Sequence, residues 1–169
     1  MPTVPEAHRQ QSPTVVRCAV ITVSDTRTME TDVGGQTIVD MLSAHGHQVV
    51  ERRIVRDEPG PMRDWLTRLS QRPEVEAILL TGGTGLGSRD QTFETLNQLI
   101  TKPLPGFGEL FRMLSYAEVG AAAMLSRAMG GLLGRTVVLA MPGSPAGVRL
   151  AMEKLVLPEL GHLVREARR

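Results

Sequence analysis

Apolar positions along this chain follow two alternating rhythms, one with the period of a strand and one with the period of a helix. Val15 to Val23 is a β-branched run, long and apolar enough to predict a strand buried on both faces. Ile38, Met41, Leu42 and His45 keep helical spacing after a Gly34-Gly35 start. Gln48 to Val55 predicts a second strand, placed toward a sheet edge because Arg52 and Arg53 interrupt it. Met62, Trp65, Leu66 and Leu69 fall at i, i+3, i+4 and i+7, an amphipathic helix. Glu76 to Thr81 is the third strand, and Phe93, Leu96, Leu99 and Ile100 mark the next helix.

The pattern loosens in the middle. Lys102 to Gly108, with Pro103 and Pro105, predicts a loop whose prolines forbid helix continuation. Leu110, Phe111 and Leu114 then share a helical face. Ala121 to Met129 is small and apolar, and its pattern fits a helix or a buried strand equally well. Thr136 to Met141 is the last strong strand. Ser144 suits an N-cap and Pro145 the first helical position after it. Val148, Met152, Leu155 and Val156 form the following helix face, which Pro158 is expected to break or kink. Strand–helix alternation predicts an α/β fold, a three-layer sandwich with a mostly parallel central sheet. Residues 14–169 make one domain behind a disordered N-terminal tail over 1–13.

Right-handed crossovers put the C-terminal ends of parallel strands on one edge, where such folds bind ligands. The strand ends are chemically unusual. The first runs into Ser24-Asp25-Thr26, the second into Arg56-Asp57-Glu58, and the last into Pro142-Gly143-Ser144. The third enters Thr81-Gly82-Gly83-Thr84-Gly85-Leu86-Gly87-Ser88-Arg89-Asp90-Gln91-Thr92. Apolar strand, glycine-rich turn and helix in that order present backbone N–H groups to an anion. Any single Asp here reads as turn or cap chemistry. Three of them converging with a glycine loop point to phosphoryl or nucleotidyl transfer, in which carboxylates hold Mg²⁺ against phosphate oxygens. Arg89 and the loop amides would stabilise charge developing on phosphorus. The loop lacks the Gly-Lys-Ser/Thr ending of a Walker A motif, and its glycines fail the dinucleotide spacing, which excludes a Rossmann-type dehydrogenase.

Composition adds exclusions. With 19 Lys+Arg against 18 Asp+Glu, a formal net charge of +1 and 3% aromatics, nothing calls for nucleic acid or an anionic membrane. No apolar stretch reaches spanning length, and the polar start excludes a secretory signal. The single Cys18 lies in an apolar run, as expected for a buried free thiol in a reducing cytoplasm. His45 and His47 bracket Gly46 between a helix and a strand pattern, which favours a solvated turn over a ligand pair.

These residues carry a resemblance. Val23-Ser24-Asp25-Thr26, Asp32-Val33-Gly34-Gly35, Asp57-Glu58, the glycine loop with its Arg89-Asp90-x-Thr92 tail, Pro105-Gly106-Phe107-Gly108-Glu109, Leu125-Ser126-Arg127 and Met141-Pro142-Gly143-Ser144 resemble the MoaB/Mog family of molybdenum cofactor biosynthesis. The match runs from about Val15 to the C-terminus, and the length and Phe111 to Gly120 are similar to the MoaB branch.

The resemblance implies molybdopterin adenylyltransfer: ATP with Mg²⁺ and molybdopterin give adenylylated molybdopterin and pyrophosphate. It implies Asp57 and Asp90 as catalytic and Mg²⁺-holding residues, and Gly82, Gly83, Thr84, Gly85, Arg89 and Asp25 as nucleotide and phosphate contacts. Ser24, Asp32, Gly35, Ser126, Arg127, Gly143 and Ser144 are its substrate-binding candidates. A homo-oligomer, trimer or hexamer, and a molybdate-inserting partner are implied as well. Some members of the MoaB branch lack the acidic pair and are catalytically silent, so a non-catalytic molybdopterin- or nucleotide-binding oligomer is the alternative. This chain keeps Asp57 and Asp90. It carries Gly34 where the family commonly has Ser, which removes one hydroxyl from a binding loop.

Overall fold

The computed structural model describes residues 12–169. The first eleven residues of the expected tail lie outside the described residues; Pro13 follows them, with its carbonyl against Gly161. Strand β1 (Arg17–Val23) leads to helix α1 (Val33–Ala44), then β2 (Gln48–Val55), α2 (Pro59–Ser70), β3 (Ala77–Thr81) and α3 (Thr92–Leu99). After them come β4 (Lys102–Pro103), α4 (Pro105–Val119), a 3₁₀ segment (Gly120–Leu125), β5 (Met129–Leu133) and β6 (Thr136–Met141). Helix α5 (Pro145–Ala151) passes through a π-turn (Met152–Val156) into α6 (Leu157–Arg168).

The sheet order is β2-β1-β3-β6-β5-β4. β2, β1, β3 and β6 run parallel, while β5 is antiparallel to both β6 and β4. Helices cover both faces, which is the expected three-layer sandwich, and β2 lies at an edge as its arginines indicated. Alternation of side chains along the strands feeds two cores. Cys18, Val20, Leu79 and Leu139 pack with Ile38, Leu42, Phe111, Val148 and Leu160 on one face. Ala19, Ile21, Ile78 and Leu80 pack with Met62, Leu66, Leu69 and Leu96 on the other. Each such fully buried Leu, Ile or Phe contributes about 1.5–3 kcal/mol relative to exposure. Parallel strands buried on both faces have little polar surface of their own, so chemistry is confined to the loops at their ends.

Three local expectations change. The proline-rich stretch after α3 is not all loop: Pro103 sits in the short edge strand β4, where a missing N–H is tolerated, and Pro105 opens α4. The ambiguous Ala121–Met129 stretch is neither one helix nor one buried strand. Gly120 (φ +63°) ends α4, the chain makes a 3₁₀ segment with Met124 72% exposed, and β5 begins at Met129. Pro158 does not break the last helix, because the wider π-turn before it absorbs the lost amide and the ring.

At the opposite end of the sheet, His45, Gly46 (φ +79°) and His47 form the expected turn. The His47 Nδ1 accepts from the Val16 N–H at 3.1 Å, and among the described residues no group of three potential ligands is arranged for a metal.

Candidate active site

Strand register sets the working edge. Thr22 of β1 is level with Thr81 of β3, which is level with Met141 of β6, and Val23 is level with Val55 of β2. The four loops that follow these strands therefore leave the sheet side by side. Ser24 N–H bonds the Val55 carbonyl at 2.9 Å, and Gly82 N–H bonds the Met141 carbonyl at 3.1 Å, so neighbouring loops are stitched where they begin.

The glycine loop makes two tight turns that only glycine adopts readily, Gly82 at φ +99° and Gly83 at φ +66°. A Cβ on Gly83 would collide with Thr92 Oγ1 and lie 2.8 Å from Asp57 Oδ2, so the bare Cα makes room for that carboxylate. Thr92 folds the loop back, its N–H on the Gly83 carbonyl at 3.0 Å and its Oγ1 on the Gly82 carbonyl at 2.9 Å. Asp90 Oδ2 accepts from Gly87 N–H at 2.8 Å and closes the far end. Arg127, from the segment before β5, clamps the outside. Its Nε donates to the Gly85 carbonyl at 2.9 Å, its Nη2 to the Asp90 carbonyl at 3.1 Å, and its Nη1 pairs with Glu94. Arg127 N–H also bonds the Thr84 carbonyl at 3.0 Å. The loop carbonyls are thus turned toward Arg127 and Thr92. Among the described residues the amides of Gly83, Thr84 and Gly85 donate to no protein acceptor, the condition an anion cradle requires.

Beside this loop lies a cluster of carboxylates. Asp57 is 7% exposed, and its Oδ1 accepts from Gln91 N–H at 2.9 Å. Burial, together with the charges of Asp90 and Asp25, pushes its carboxyl above the usual range, against the lowering effect of the Gln91 amide. Asp25 Oδ1 accepts from Asp57 N–H at 3.2 Å, and its Oδ2 takes Arg89 Nη2 at 2.7 Å and Nε at 3.1 Å. The Arg89 guanidinium holds the Asp25 carboxyl below its ordinary range. Asp25, Asp57 and Asp90, from three different loops, therefore meet as the strand ends foretold.

A cleft of about 220 Å³ opens next to this cluster, lined by residues that include Ser24, Arg27, Asp32, Gly34, Gly82 and Gly143. Asp32 caps α1 through Gly35 N–H at 2.9 Å and accepts from Thr22 Oγ1 at 2.7 Å and Arg52 Nη2 at 3.2 Å. Its carboxylate, and the Gly35 amide that it holds, serve the wall of the cleft. Gly143 lies against the Gly82 backbone, and Ser144 caps α5 through Gly147 N–H at 3.1 Å. Ser24 Oγ is used by the Thr26 and Arg27 amides.

Of the substrate candidates, Ser24, Asp32 and Gly143 line the cleft, and Gly35 and Ser144 stand behind it. Ser126 and Arg127 are instead on the glycine loop's outer side, where the Ser126 carbonyl accepts from Arg112 Nη1 at 3.3 Å. Arg27 was missed by sequence reasoning, although it follows Asp25-Thr26 directly and brings a cation to the cleft. A Cβ added at Gly34 would lie 3.5 Å from Thr81 Oγ1 and 3.5 Å from the Gly143 carbonyl oxygen, ordinary contact distances.

The α/β sheet with its amide-lined glycine loop, acidic cluster and adjoining cleft places the chain in a known class of domain: residues 19–162 match the family model described as "probable molybdopterin binding domain". The chain belongs to the molybdenum cofactor biosynthesis protein B family. It is 48% identical over 162 residues to that protein of Halalkalibacterium halodurans, covering 95% of each chain. It is 47% identical over 165 residues to the Bacillus subtilis protein, covering 97% of each. A crystal structure of a molybdenum cofactor biosynthesis protein B superposes with a TM-score of 0.90 at 49% identity, covering 94% of this chain and 99% of that one. The tungsten cofactor synthesizing protein MoaB of Pyrococcus furiosus gives 0.83 at 34% identity, covering 94% and 100%.

Proposed function

We propose that the protein is a molybdopterin adenylyltransferase, transferring AMP from ATP to the terminal phosphate of molybdopterin. The observation that carries this reading is the meeting of Asp57 and Asp90 beside a glycine loop in which the Gly83, Thr84 and Gly85 amides have no protein acceptor among the described residues. In the proposed step a phosphate oxygen of molybdopterin attacks the α-phosphorus of ATP. The bond from that phosphorus to the bridging oxygen breaks, and pyrophosphate leaves with the electron pair. The attacking oxygen is already anionic, so no strong base is needed, and orientation with charge neutralisation supplies most of the rate. The loop amides hold phosphate oxygens, and the cleft with Arg27 takes the anionic pterin substrate.

The donor set suits Mg²⁺. Asp57 Oδ2 accepts no hydrogen bond among the described residues, and the carboxylates are hard oxygen ligands without a third partner arranged for a closed site. Mg²⁺ is commonly held by one or two carboxylates with substrate phosphates and water. Asp57 and Asp90 would hold it, and when bound it would neutralise charge on the polyphosphate. Cys18 takes no part, since burial pushes its thiol up to about 12. A buried thiol of this kind suits a reducing cytoplasm.

The alternative is a non-catalytic molybdopterin-binding oligomer, and one observation favours it: Asp90 Oδ2 is engaged in closing the loop. Either reading accommodates self-association through Met113, Tyr116, Val119 and Met124, which are 61%, 64%, 56% and 72% exposed. Purified protein incubated with molybdopterin, ATP and Mg²⁺ should yield adenylylated molybdopterin and pyrophosphate. Absence of product from folded protein that still binds molybdopterin would leave the alternative standing.

A further inference from the structure

Asp57 stands at the apex of a three-residue turn, in which Glu58 N–H bonds the Arg56 carbonyl at 2.8 Å. Such a turn leaves the backbone amide of its central residue unused. The partner of that amide is Asp25 Oδ1 at 3.2 Å, from a loop 32 residues upstream. The other oxygen of Asp25 is gripped at two points by Arg89, 64 residues downstream, at 2.7 and 3.1 Å. Arg89 Nη2 also lies 3.7 Å from Glu58 Oε1, and Arg56 Nε lies 3.4 Å from the same oxygen. One ionic chain, Arg56–Glu58–Arg89–Asp25, thus starts on the turn that carries Asp57 and returns to it through the hydrogen bond from the Asp57 amide to Asp25. The cation on the rim of the glycine loop is committed to carboxylates of neighbouring loops.

We infer that Asp25 and Arg89 are positioning residues for Asp57: the Arg89–Asp25 ion pair fixes the Asp57 backbone, and through it aims the Asp57 carboxylate into the acidic cluster. This inference rests on the adenylyltransferase reading for its kinetic consequence, and it reassigns Arg89 and Asp25 from phosphate contacts to supports. Asp57 is then held from two sides. Its carboxylate is set by the Gln91 amide of the glycine loop, and its backbone by the Asp25 side chain. Neither support could do this alone, because a side chain anchored only at its tip can still swing with its turn. Partners behind a ligating carboxylate change affinity or activity by about 10- to 100-fold when removed.

The test compares full-length Asp25→Ala, Asp25→Asn, Arg89→Ala, Arg89→Lys and the Asp25→Ala/Arg89→Ala double variant, by Asp57 amide hydrogen exchange and by kcat and KM for ATP. Asp25→Ala should speed Asp57 amide exchange by at least about tenfold and lower kcat by about 10- to 100-fold, with KM for ATP within about twofold of the parent. Asp25→Asn keeps an acceptor for the Asp57 amide and should retain more of both. Arg89→Lys keeps the charge without the two-point grip and should fall between Arg89→Ala and the parent. The double variant should be little worse than the worse single one, as two members of one unit behave. Unchanged Asp57 amide protection in Asp25→Ala overturns the inference. So does a raised KM for ATP in Arg89→Ala with Asp25→Ala silent, which would put Arg89 on a phosphate. The exchange readout needs no turnover, so loss of the adenylyltransferase reading would leave it interpretable.

Discussion

Two aspartates lie buried at the same sheet edge, Asp32 at 3% and Asp57 at 7% exposure, and their surroundings are opposite. Asp32 receives a backbone N–H, a threonine hydroxyl and an arginine, so its charge is answered on every side. Asp57 receives one amide at its carboxylate, keeps one oxygen without a donor among the described residues, and sits near two further carboxylates. A buried charge is tolerated when its hydrogen-bonding capacity is filled, and it stores unfavourable energy when it is not. The first arrangement builds a wall. The second leaves a deficit of positive charge and of donors that a cation and a phosphate-bearing ligand would fill. Burial of a carboxylate therefore says little until its donors are counted.

The largest effect expected from this contrast is catalytic. Asp57→Asn keeps the shape and the Gln91 hydrogen bond while removing the charge, and should lower adenylyl transfer about a thousandfold, roughly 4 kcal/mol of barrier, in a single-turnover assay. Asp32→Ala should act on stability instead. Removing it takes the carboxylate from Arg52, which keeps only neutral acceptors in Gln36 and the backbone carbonyl at position 32, and uncaps α1, at a cost of about 3 kcal/mol, and calorimetry should show a melting temperature lower by about 6–12 °C. A destabilised Asp57→Asn beside a stable Asp32→Ala would reverse the assignment of the two residues.

A smaller effect has a definite sign. The Asp57 carboxyl titrates above its unfolded value, so the folded state holds that proton to higher pH than the unfolded state does. Stability linked to it is present below the ordinary carboxylate range and is lost as pH rises through the folded pKa. Asp57→Asn should accordingly match the parent's stability in acid, where the protonated acid and the amide are near equivalents. It should exceed the parent above that window by about 0.5 kcal/mol, a modest figure because the Gln91 amide and the Arg89 charge offset part of the cost of burial. Thermal melts across pH read both limbs, and a difference that grew toward acid would contradict the raised pKa.

The smallest effect is expected at Gly34. Its Cβ position meets only ordinary contacts, so Gly34→Ser should fold within about 0.5 kcal/mol of the parent. It would return one hydroxyl to the cleft, and molybdopterin affinity by titration should rise by at most about fivefold, one net hydrogen bond. A larger gain would show that the cleft depends on that wall more than on the acidic cluster.

Much of this arrangement was present in the order of residues. Periodicity located the three inner parallel strands, because a strand buried on both faces must be apolar throughout, and Ile21, Leu79 and Leu139 leave no other reading, while the arginines of β2 marked it as an edge. The convergence of Asp25, Asp57 and Asp90 followed from chain order alone, since right-handed crossovers place the ends of parallel strands on one edge. The 3₁₀ segment and the π-turn before Pro158 were not foreseeable in this way. Small residues such as Ala121 to Ala123 carry no period, and a helix can absorb a proline by widening as well as by breaking.

Local sequence thus specified which residues meet at the working edge, through patterning and the handedness of connections. What each does there depended on contacts between residues from 10 to 64 positions apart, which no local pattern encodes. Asp32 and Asp57 look alike in the sequence, each an aspartate beside a helix start. Thr22 and Arg52 satisfy one, while the crowding of Asp25 and Asp90 leaves the other unsatisfied. Folding brought those neighbours in, and their donors and charges separated a satisfied carboxylate from one left short of donors and positive charge.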